Sequence, residues 1–338
     1  MTAMFSTANI TRQGSATPRK ANAEVLYYAC GGGFGHVTRA TAILRQLQHL
    51  GCRKLLAITN SRQPTPLIQQ GIEFLSPETD APAVLQALVL DTLDRYLPQV
   101  LVIDVFAHGI LGEIGAMLPA LSCRKVLVYR HLRENSMAGM REALTQFDRV
   151  LLAEAPDEPL PAPTIACHSI LIRDAEELLP RTAAKARLGV GADETVVLGV
   201  SSGGTAWTYD FFLLLQKAWR RLRPAAQLRL AAPFPIGSGP LFIEHYPLLE
   251  LFNGVDLVVG ASGYNLFHEA QACGIPAIFL PQPRRFDDQR WRARAARTAG
   301  SPEELESQLR NALAALPSRE PADARYQNGA LTAARAIA

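Results

Sequence analysis

The sequence lacks the features that define several large classes of protein. Its five cysteines are scattered and never spaced as Cys-x-x-Cys, which indicates reduced thiols in a cytosolic protein rather than a disulfide framework or a thiolate metal site. The formal net charge is only +3, too small by itself to indicate a nucleic-acid partner. No apolar run qualifies as a membrane span, because the most apolar region, 100–121, contains Asp104, His108 and Glu113. A strand followed by a helix explains that region better.

Common nucleotide-binding fingerprints are also missing. The stretch CGGGFGHVTRA at 30–40 fails the Gly-x-Gly-x-x-Gly rule, because His36 occupies the position of the last glycine. Thr59 and Asn60, not an acidic residue, stand where the second strand ends, so the expected ribose partner of a dinucleotide is absent. No Gly-Lys-Ser/Thr follows the glycines, which excludes a Walker P-loop. Nor do the seven histidines show the spacing of a metal site.

What the sequence does contain is a regular alternation of apolar runs and helical stretches. The run at 24–30 is followed by 36–50, where apolar residues recur three or four positions apart, as on one face of a helix. Further strand-like runs lie at 54–59, 71–75, 100–106, 125–130 and 149–154. Buried strands that alternate with helices predict a parallel sheet covered on both faces.

The composition changes abruptly at 155–163. This segment, APDEPLPAP, has four prolines in nine residues and cannot form regular structure. Strand-like and helix-like segments then alternate again from 194–202 onward. We therefore predict an α/β protein of two tandem Rossmann-like, doubly wound domains, in which the carboxyl ends of both sheets face a shared interdomain cleft.

The expected boundaries place a first domain at 24–172 and a second at 173–338. Residues 1–23 are polar and show no periodicity, which predicts a flexible N-terminal tail. A transit peptide is the alternative for this segment, because it carries Arg, Ser and Thr and no acidic residue.

Glycines concentrate where the chain passes from the first strand into the first helix. Gly32, Gly33 and Gly35 allow a ligand to approach backbone N–H groups there, and the start of a helix favours negative charge. The alternative is a tight strand-to-helix turn that needs a positive φ. The residues alone leave both explanations open. In either case, the predicted topology places this glycine loop at the cleft.

Three features of the second half follow successive predicted strands. They are the loop SSGGT at 201–205, the segment ASGYN at 261–265 with Glu269 in the helix after it, and the pair Asp288-Gln289. A glycine at a helix start can seat a diphosphate. A carboxylate one to two turns later can accept both hydroxyls of a ribose, and an acid–amide pair can hold sugar hydroxyls. Each feature is weak alone, but in this order the three together indicate a binding site for a ligand that carries a diphosphate, a ribose and a sugar.

The run at 255–289, VDLVVGASGYNLFHEAQACGIPAIFLPQPRRFDDQ, resembles the donor-binding region of GT-B glycosyltransferases. The likeness is to MurG-like enzymes and to bacterial predicted glycosyltransferases with a Gly-Tyr-Asn-x-x-x-Glu segment. VLGVSSGGT at 197–205, HSILIR at 168–173 and GGGFGHVTRA at 31–40 are similar to other segments of the family. The resemblance therefore covers most of 24–300. It implies an acceptor-side first domain and a donor-binding second domain.

Matched position by position, the resemblance implies roles for nine residues of the second half. They are Gly203, Gly204 and Thr205 at the diphosphate, Gly263, Tyr264 and Asn265 at the helix start, Glu269 at the ribose, and Asp288 with Gln289 at the donor sugar. Leu266 departs from the pattern, because MurG has a hydroxyl residue there. The region after Gln289 is also short.

His36 and Asp104 are the candidate catalytic residues. An acceptor hydroxyl must lose a proton as it attacks the anomeric carbon, and imidazole suits a base that works near neutral pH. Asp104 ends the strand-like VLVID and could orient the imidazole and stabilise its charged form. The alternative is that His36 caps its helix or binds diphosphate, while Asp104 caps the next helix.

The prediction is thus a glycosyltransferase that moves a sugar from a nucleotide diphosphate sugar, UDP-sugar in the first place, to an unknown small-molecule or lipid acceptor. The resemblance implies inverting displacement without metal or cofactor, and there is no Asp-x-Asp of the kind used by metal-dependent sugar transferases. We expect a cytoplasmic protein that binds no nucleic acid, with peripheral membrane contact as an option for the arginines of 284–297. A nucleotide-sugar hydrolase and a non-catalytic nucleotide-sugar-binding module are the alternatives.

Overall fold

The computed structural model describes residues 23–31, 33–201, 204–316 and 326–338. Nearly all of the predicted tail lies outside the described residues, and so do Gly32 and Gly203 of the predicted site. The side chain of Thr205 is outside them as well.

The first half is built on a seven-stranded parallel sheet with the order β3-β2-β1-β4-β5-β6-β7. Its strands are β1 (Val25–Tyr28), β2 (Leu55–Ile58), β3 (Glu73–Leu75), β4 (Val100–Asp104), β5 (Arg124–Tyr129), β6 (Arg149–Leu152) and β7 (Thr164–Ala166). The strand order reverses between β1 and β4, and ligands of such sheets bind in the crevice beyond a reversal of this kind. The glycine loop follows β1 and Asp104 ends β4, so both lie at this crevice.

The second half is built on a five-stranded parallel sheet with the order β12-β11-β10-β8-β9. Its strands are β8 (Val196–Val200), β9 (Gln227–Ala231), β10 (Leu257–Gly260), β11 (Ala277–Phe279) and β12 (Arg297–Thr298). Here the order reverses between β8 and β10. Ser201 directly follows β8, and the loop at 261–263 follows β10. The two sheets confirm the predicted pair of doubly wound domains.

Eleven α-helices lie in the part of the chain that the structure describes. They are α1 (Phe34–His49), α2 (Thr65–Gln69), α3 (Pro82–Tyr96), α4 (Glu134–Ala138), α5 (Arg141–Leu144), α6 (Arg181–Arg187), α7 (Thr205–Leu222), α8 (Tyr264–Ala272), α9 (Gln289–Arg292), α10 (Pro302–Ala314) and α11 (Ala330–Ile337). Short 3-10 helices lie at Gly115–Ala120, Ala175–Glu177 and Leu248–Gly254. Within the described residues, no helix is long and apolar enough to cross a membrane.

The last helix, α11, packs against α1 of the first half. Arg149 at the start of β6 donates a hydrogen bond from Nη1 to the carbonyl oxygen of Ala336 at 3.0 Å. The chain therefore returns to the first domain after it has built the second sheet. The boundary between residues 172 and 173 stays a prediction.

The central strands of both sheets are nearly continuous apolar runs, as expected when helices cover both faces, whereas the edge strands β3, β7 and β12 are partly or fully exposed. VLYY of β1 and VVLGV of β8 are buried at every position. One apolar cluster extends through both halves, and it includes Val37 of α1, Ile170 of the connecting segment and Val258 of β10. Full burial of one such side chain contributes about 1.5–3 kcal/mol. This shared cluster therefore holds the two halves together and fixes the cleft between them.

Candidate active site

A cavity of about 740 Å³ lies between the two halves, at the carboxyl ends of their strands. Its walls come from both sheets, and they bring together most of the predicted site residues that the structure describes. Those that line it are Gly33, Gly35, His36, Gly204, Gly263, Tyr264, Asn265, Glu269 and Gln289. The cavity therefore joins the first-half loop to the predicted donor residues of the second half.

Two described glycines of the first loop, Gly31 and Gly35, leave space for side chains of α1, whereas a Cβ on Gly33 would meet no neighbour. Gly33 precedes α1 in an extended conformation, with φ −159° and ψ 169°, and neither Gly31 nor Gly35 has a positive φ. A Cβ on Gly31 would overlap the ring of His36, and a Cβ on Gly35 would lie 3.3 Å from Nη1 of Arg39. At these described positions, the absence of a side chain makes room for two functional side chains of α1.

His36 and Asp104 form a buried contact. Nδ1 of His36 lies 2.6 Å from Oδ2 of Asp104, although the ring N–H is not aligned as in a linear hydrogen bond. The imidazole also stacks against the ring of Phe106, with 5.5 Å between ring centroids. Burial lowers the pKa of His36, and the Asp104 carboxylate only partly opposes that effect. The imidazole is therefore neutral near pH 7, the form in which it can accept a proton.

Asp104 has partners besides His36. Arg39 donates from Nε to Oδ1 at 3.2 Å and from Nη2 to Oδ2 at 2.6 Å, and Tyr27 donates its hydroxyl to Oδ1 at 3.2 Å. Burial by itself would raise the pKa of Asp104, but the charge of Arg39 and the contact with His36 outweigh it and lower that pKa. Sequence analysis missed Arg39. Arg39 lies three residues after His36 and therefore on the same helix face, and this spacing could have indicated that it belongs to the site.

The second-half wall of the cavity is formed by the start of α8. Gly263 precedes this helix in an extended conformation, and the first backbone N–H groups of a helix have no intrahelical partner. Oδ1 of Asn265 is buried and has no hydrogen-bond partner among the described residues. The backbone N–H groups at this end of α8 therefore offer donors and a positive dipole to the cavity, and the Asn265 oxygen offers an acceptor.

Glu269 lies one turn further along α8 and is partly exposed to the cavity. None of the hydrogen bonds and ion pairs of the described residues involves its carboxylate. Burial raises the pKa of Glu269 to about 7. It is therefore a carboxylate that protein neighbours do not stabilise and that ligand hydroxyls could.

Tyr264 connects the two halves. Its hydroxyl accepts a hydrogen bond from the backbone N–H of Ile170 at 2.8 Å, and the guanidinium of Arg39 lies 4.9 Å from the centre of its ring. The side chain is buried. Tyr264 thus lines the predicted seat and also packs α8 against α1 and the connecting segment.

Asp288 and Gln289 lie at the start of α9, and their side chains have different surroundings. Asp288 caps that helix, with Oδ1 accepting from the backbone N–H of Trp291 at 2.9 Å, and it does not line the cavity. Gln289 does line it, and its Oε1 accepts from the backbone N–H of Gln282 at 2.9 Å. The neighbouring Asp287 lines the cavity where the pattern suggested Asp288.

A buried set of ion pairs, which sequence analysis missed, joins the halves beside the cavity. Asp287 lies 2.6 Å from Nη1 of Arg130 and 3.0 Å from Nη2 of Arg292. Arg292 also donates from Nε to Oε1 of Glu154 at 2.6 Å, and Nε2 of His268 lies 2.8 Å from the same oxygen. The arginines of 284–297 therefore do not share one solvated face, because Arg292 is buried within this set.

The fold is that of known glycosyltransferases. Structures with this architecture include the glycotransferase of kitacinnamycin, with 16% identity, 95% of this chain and 96% of that chain covered, and a TM-score of 0.60. The spinosyn rhamnosyltransferase SpnG complexed with thymidine diphosphate has 14% identity, coverages of 93% and 96%, and a TM-score of 0.61. MurG of Acinetobacter baumannii has 16% identity, coverages of 92% and 95%, and a TM-score of 0.56.

Neither a protein-family model nor a curated protein sequence matches the chain. The likeness to solved structures shows the fold, and the predicted GT-B architecture is confirmed. Among the described residues, no group of three or more His, Cys, Asp and Glu side chains is placed to hold a metal ion.

Proposed function

We propose that this protein is a glycosyltransferase that moves a sugar from a nucleotide diphosphate sugar to an acceptor hydroxyl. One observation carries the proposal. His36, in contact with buried Asp104, and Glu269, on a helix that starts at the cavity, line the same space from opposite sheets. A candidate proton acceptor and a candidate binding site for the nucleotide sugar therefore lie in one cleft. The SpnG structure with thymidine diphosphate supports a nucleoside diphosphate as the class of ligand.

The reaction we infer is a direct displacement with inversion at the anomeric carbon. The acceptor oxygen attacks that carbon, the bond to the diphosphate oxygen breaks, and His36 takes the acceptor proton. Its lowered pKa leaves the imidazole free to accept that proton near neutral pH. Asp104 then lies beside the imidazolium that forms and stabilises it.

The leaving diphosphate needs stabilisation of its negative charge. The start of α8 at Gly263 and Asn265 and the start of α7 behind Gly204 both open on the cavity. Backbone N–H groups and helix dipoles at such starts favour anions without a metal. We assign the diphosphate to this part of the cavity, and the ribose hydroxyls to Glu269. Uridine is the base that the resemblance to MurG-like enzymes favours.

The deciding experiment incubates the purified protein with UDP-, TDP- and GDP-sugars, with and without a panel of acceptor alcohols, and measures free nucleotide. Release that depends on an acceptor supports the transferase. Release without an acceptor would replace it with a hydrolase, and binding without turnover would replace it with a binding module. A His36→Ala variant is the matched control, because only release that this residue catalyses should disappear in it.

A further inference from the structure

We propose that Arg39 is a positioning residue that keeps His36 unprotonated by holding the charge of Asp104. The proposal deepens the proposed function, since it concerns the same candidate base. It also makes a claim about the protonation of one histidine that holds whether or not a sugar is transferred.

The geometry places two nitrogen atoms against one oxygen. Oδ2 of Asp104 lies 2.6 Å from Nη2 of Arg39 and also 2.6 Å from Nδ1 of His36. Oδ1 accepts from Nε of Arg39 and from the hydroxyl of Tyr27, both at 3.2 Å. A planar guanidinium that binds both carboxylate oxygens is the strongest arrangement of such a pair. Arg39 is therefore the dominant partner of Asp104, and His36 contacts only Oδ2, the oxygen that Arg39 also contacts.

The balance of buried charge follows from this contact. Arg39 and Asp104 are both almost fully buried, at 1% and 0% exposed, and their opposite charges compensate each other. A proton on His36 would add a second positive charge, which would have to share the one carboxylate of Asp104 with Arg39. Without Arg39, the carboxylate would instead attract that proton, and the pair would become an imidazolium and a carboxylate that cannot act as a base.

The other charged group near His36 acts in the same direction. Arg130, at the end of β5, also lowers the pKa of His36, and its own nearest partner is Asp287 of the second half. Among the described residues, Asp104 of β4, Arg39 of α1 and Arg130 are thus the charged groups with the largest effects on the imidazole. Asp104 raises the pKa and the two arginines lower it.

Arg39 is also held in place from the second half. Its guanidinium lies 4.9 Å from the centre of the Tyr264 ring, and the bare Cα of Gly35 leaves room for Nη1. Tyr264 is the first residue of α8, the helix that bears Glu269. Helix α8, which is predicted to bind the sugar donor, thus packs against Arg39, the residue that controls the protonation of His36.

The test measures the pKa of His36 directly by NMR, in protein labelled at the histidine rings, with the His36→Gln variant used to assign the signal. Arg39→Met and Arg39→Gln should each raise the pKa of His36 by about one unit or more, because they remove a charge in direct contact with Asp104. Arg39→Lys keeps the charge and should leave the pKa near that of the wild type. Tyr27→Phe removes a neutral donor from the same carboxylate and should shift it less than either neutral variant.

The signals of the other six histidines, of seven in the chain, and thermal unfolding report whether each variant is folded. An unchanged His36 pKa in a folded neutral variant would overturn the proposal. If both neutral variants fail to fold, the lysine variant decides: its His36 pKa should stay near the wild-type value, as expected of a retained charge, and a large shift in either direction would overturn the proposal.

A kinetic measurement follows if a donor and an acceptor are found. The pH profile of kcat/KM for Arg39→Met should shift to higher pH by the same amount as the NMR pKa, so that activity returns in alkaline solution. A uniform loss of activity at every pH would contradict a role through His36. Absence of any transferase activity would count against the proposed function and leave the NMR result intact.

Discussion

On the first-half wall of the cavity, His36 and Arg39 both contact Asp104, which is buried behind them and also accepts a hydrogen bond from Tyr27. On the second-half wall, Glu269 has no ion-pair partner and Oδ1 of Asn265 has no hydrogen-bond partner among the described residues. The first wall is organised by the protein itself. The second presents polar groups that a ligand would have to pair. This difference is expected if the chemistry must be pre-organised while the donor supplies the missing contacts.

The largest expected effect comes from the first wall. His36→Ala should lower turnover on the order of a hundred- to ten-thousandfold and leave donor affinity nearly intact, because it removes the proton acceptor and no donor contact. Asp104→Asn should act in the same direction, and the double variant should be little worse than His36→Ala. Turnover at saturation and the dissociation constant of the donor are the measurements. Weakened donor binding with normal saturated turnover would reassign His36 to the diphosphate.

Stability should distinguish the two walls as well. Asp104→Asn leaves the buried guanidinium of Arg39 without its carboxylate, and breaking a buried pair in this way costs about 3–5 kcal/mol. Denaturant unfolding at neutral pH measures this loss. Glu269→Gln is the matched control, because Glu269 has no buried cation to leave unpaired. Equal losses in both variants would contradict the difference between the walls.

The pH dependence of stability should show the raised pKa of Glu269. Its pKa is raised by burial from 4.5 to about 7, so between these values the folded protein binds more protons than the unfolded chain. Stability should therefore fall as the pH rises through this window, by about 3 kcal/mol at most. Glu269→Gln should remove this slope and be the more stable protein at pH 8. Parallel curves for the two proteins would show that the carboxylate is already stabilised.

Donor binding gives a smaller effect on the second wall. Glu269→Ala should weaken binding of the nucleotide sugar ten- to a hundredfold, roughly 1.5–3 kcal/mol, since charged hydrogen bonds to the ribose are lost. Isothermal titration calorimetry with the nucleoside diphosphate alone suffices. Glu303→Ala, an exposed carboxylate on α10, serves as the control. An unchanged dissociation constant would make Glu269 a structural residue.

Asp288 should show the smallest effect. Because its side chain caps α9, Asp288→Ala should reduce stability by about 1 kcal/mol and change donor affinity less than Gln289→Ala does. Thermal unfolding and the same titration test this. A larger affinity loss for Asp288→Ala would mean that the side chain leaves the cap and contacts the donor sugar, as the sequence pattern predicts.

Sequence reasoning predicted the alternation of strands and helices, the change of composition at the proline-rich segment, and the candidate set at 261–269. These are local patterns. A buried strand is a short apolar run, a helix face repeats every three or four residues, and the six residues from Tyr264 to Glu269 lie within two turns. Such signals need no knowledge of which distant segments meet.

The pairing of distant side chains, by contrast, depends on the tertiary fold. Arg39 and Asp104 are 65 residues apart, and Glu154 and Arg292 are 138 apart, so their pairing depends on strand order and on how the halves pack. The same is true of Asp287 and Asp288, which differ by one position. The cap of α9 takes the carboxylate of Asp288, while Arg130 and Arg292 hold that of Asp287 at the cavity. A buried charge is stable only with a compensating partner, and the fold selects that partner.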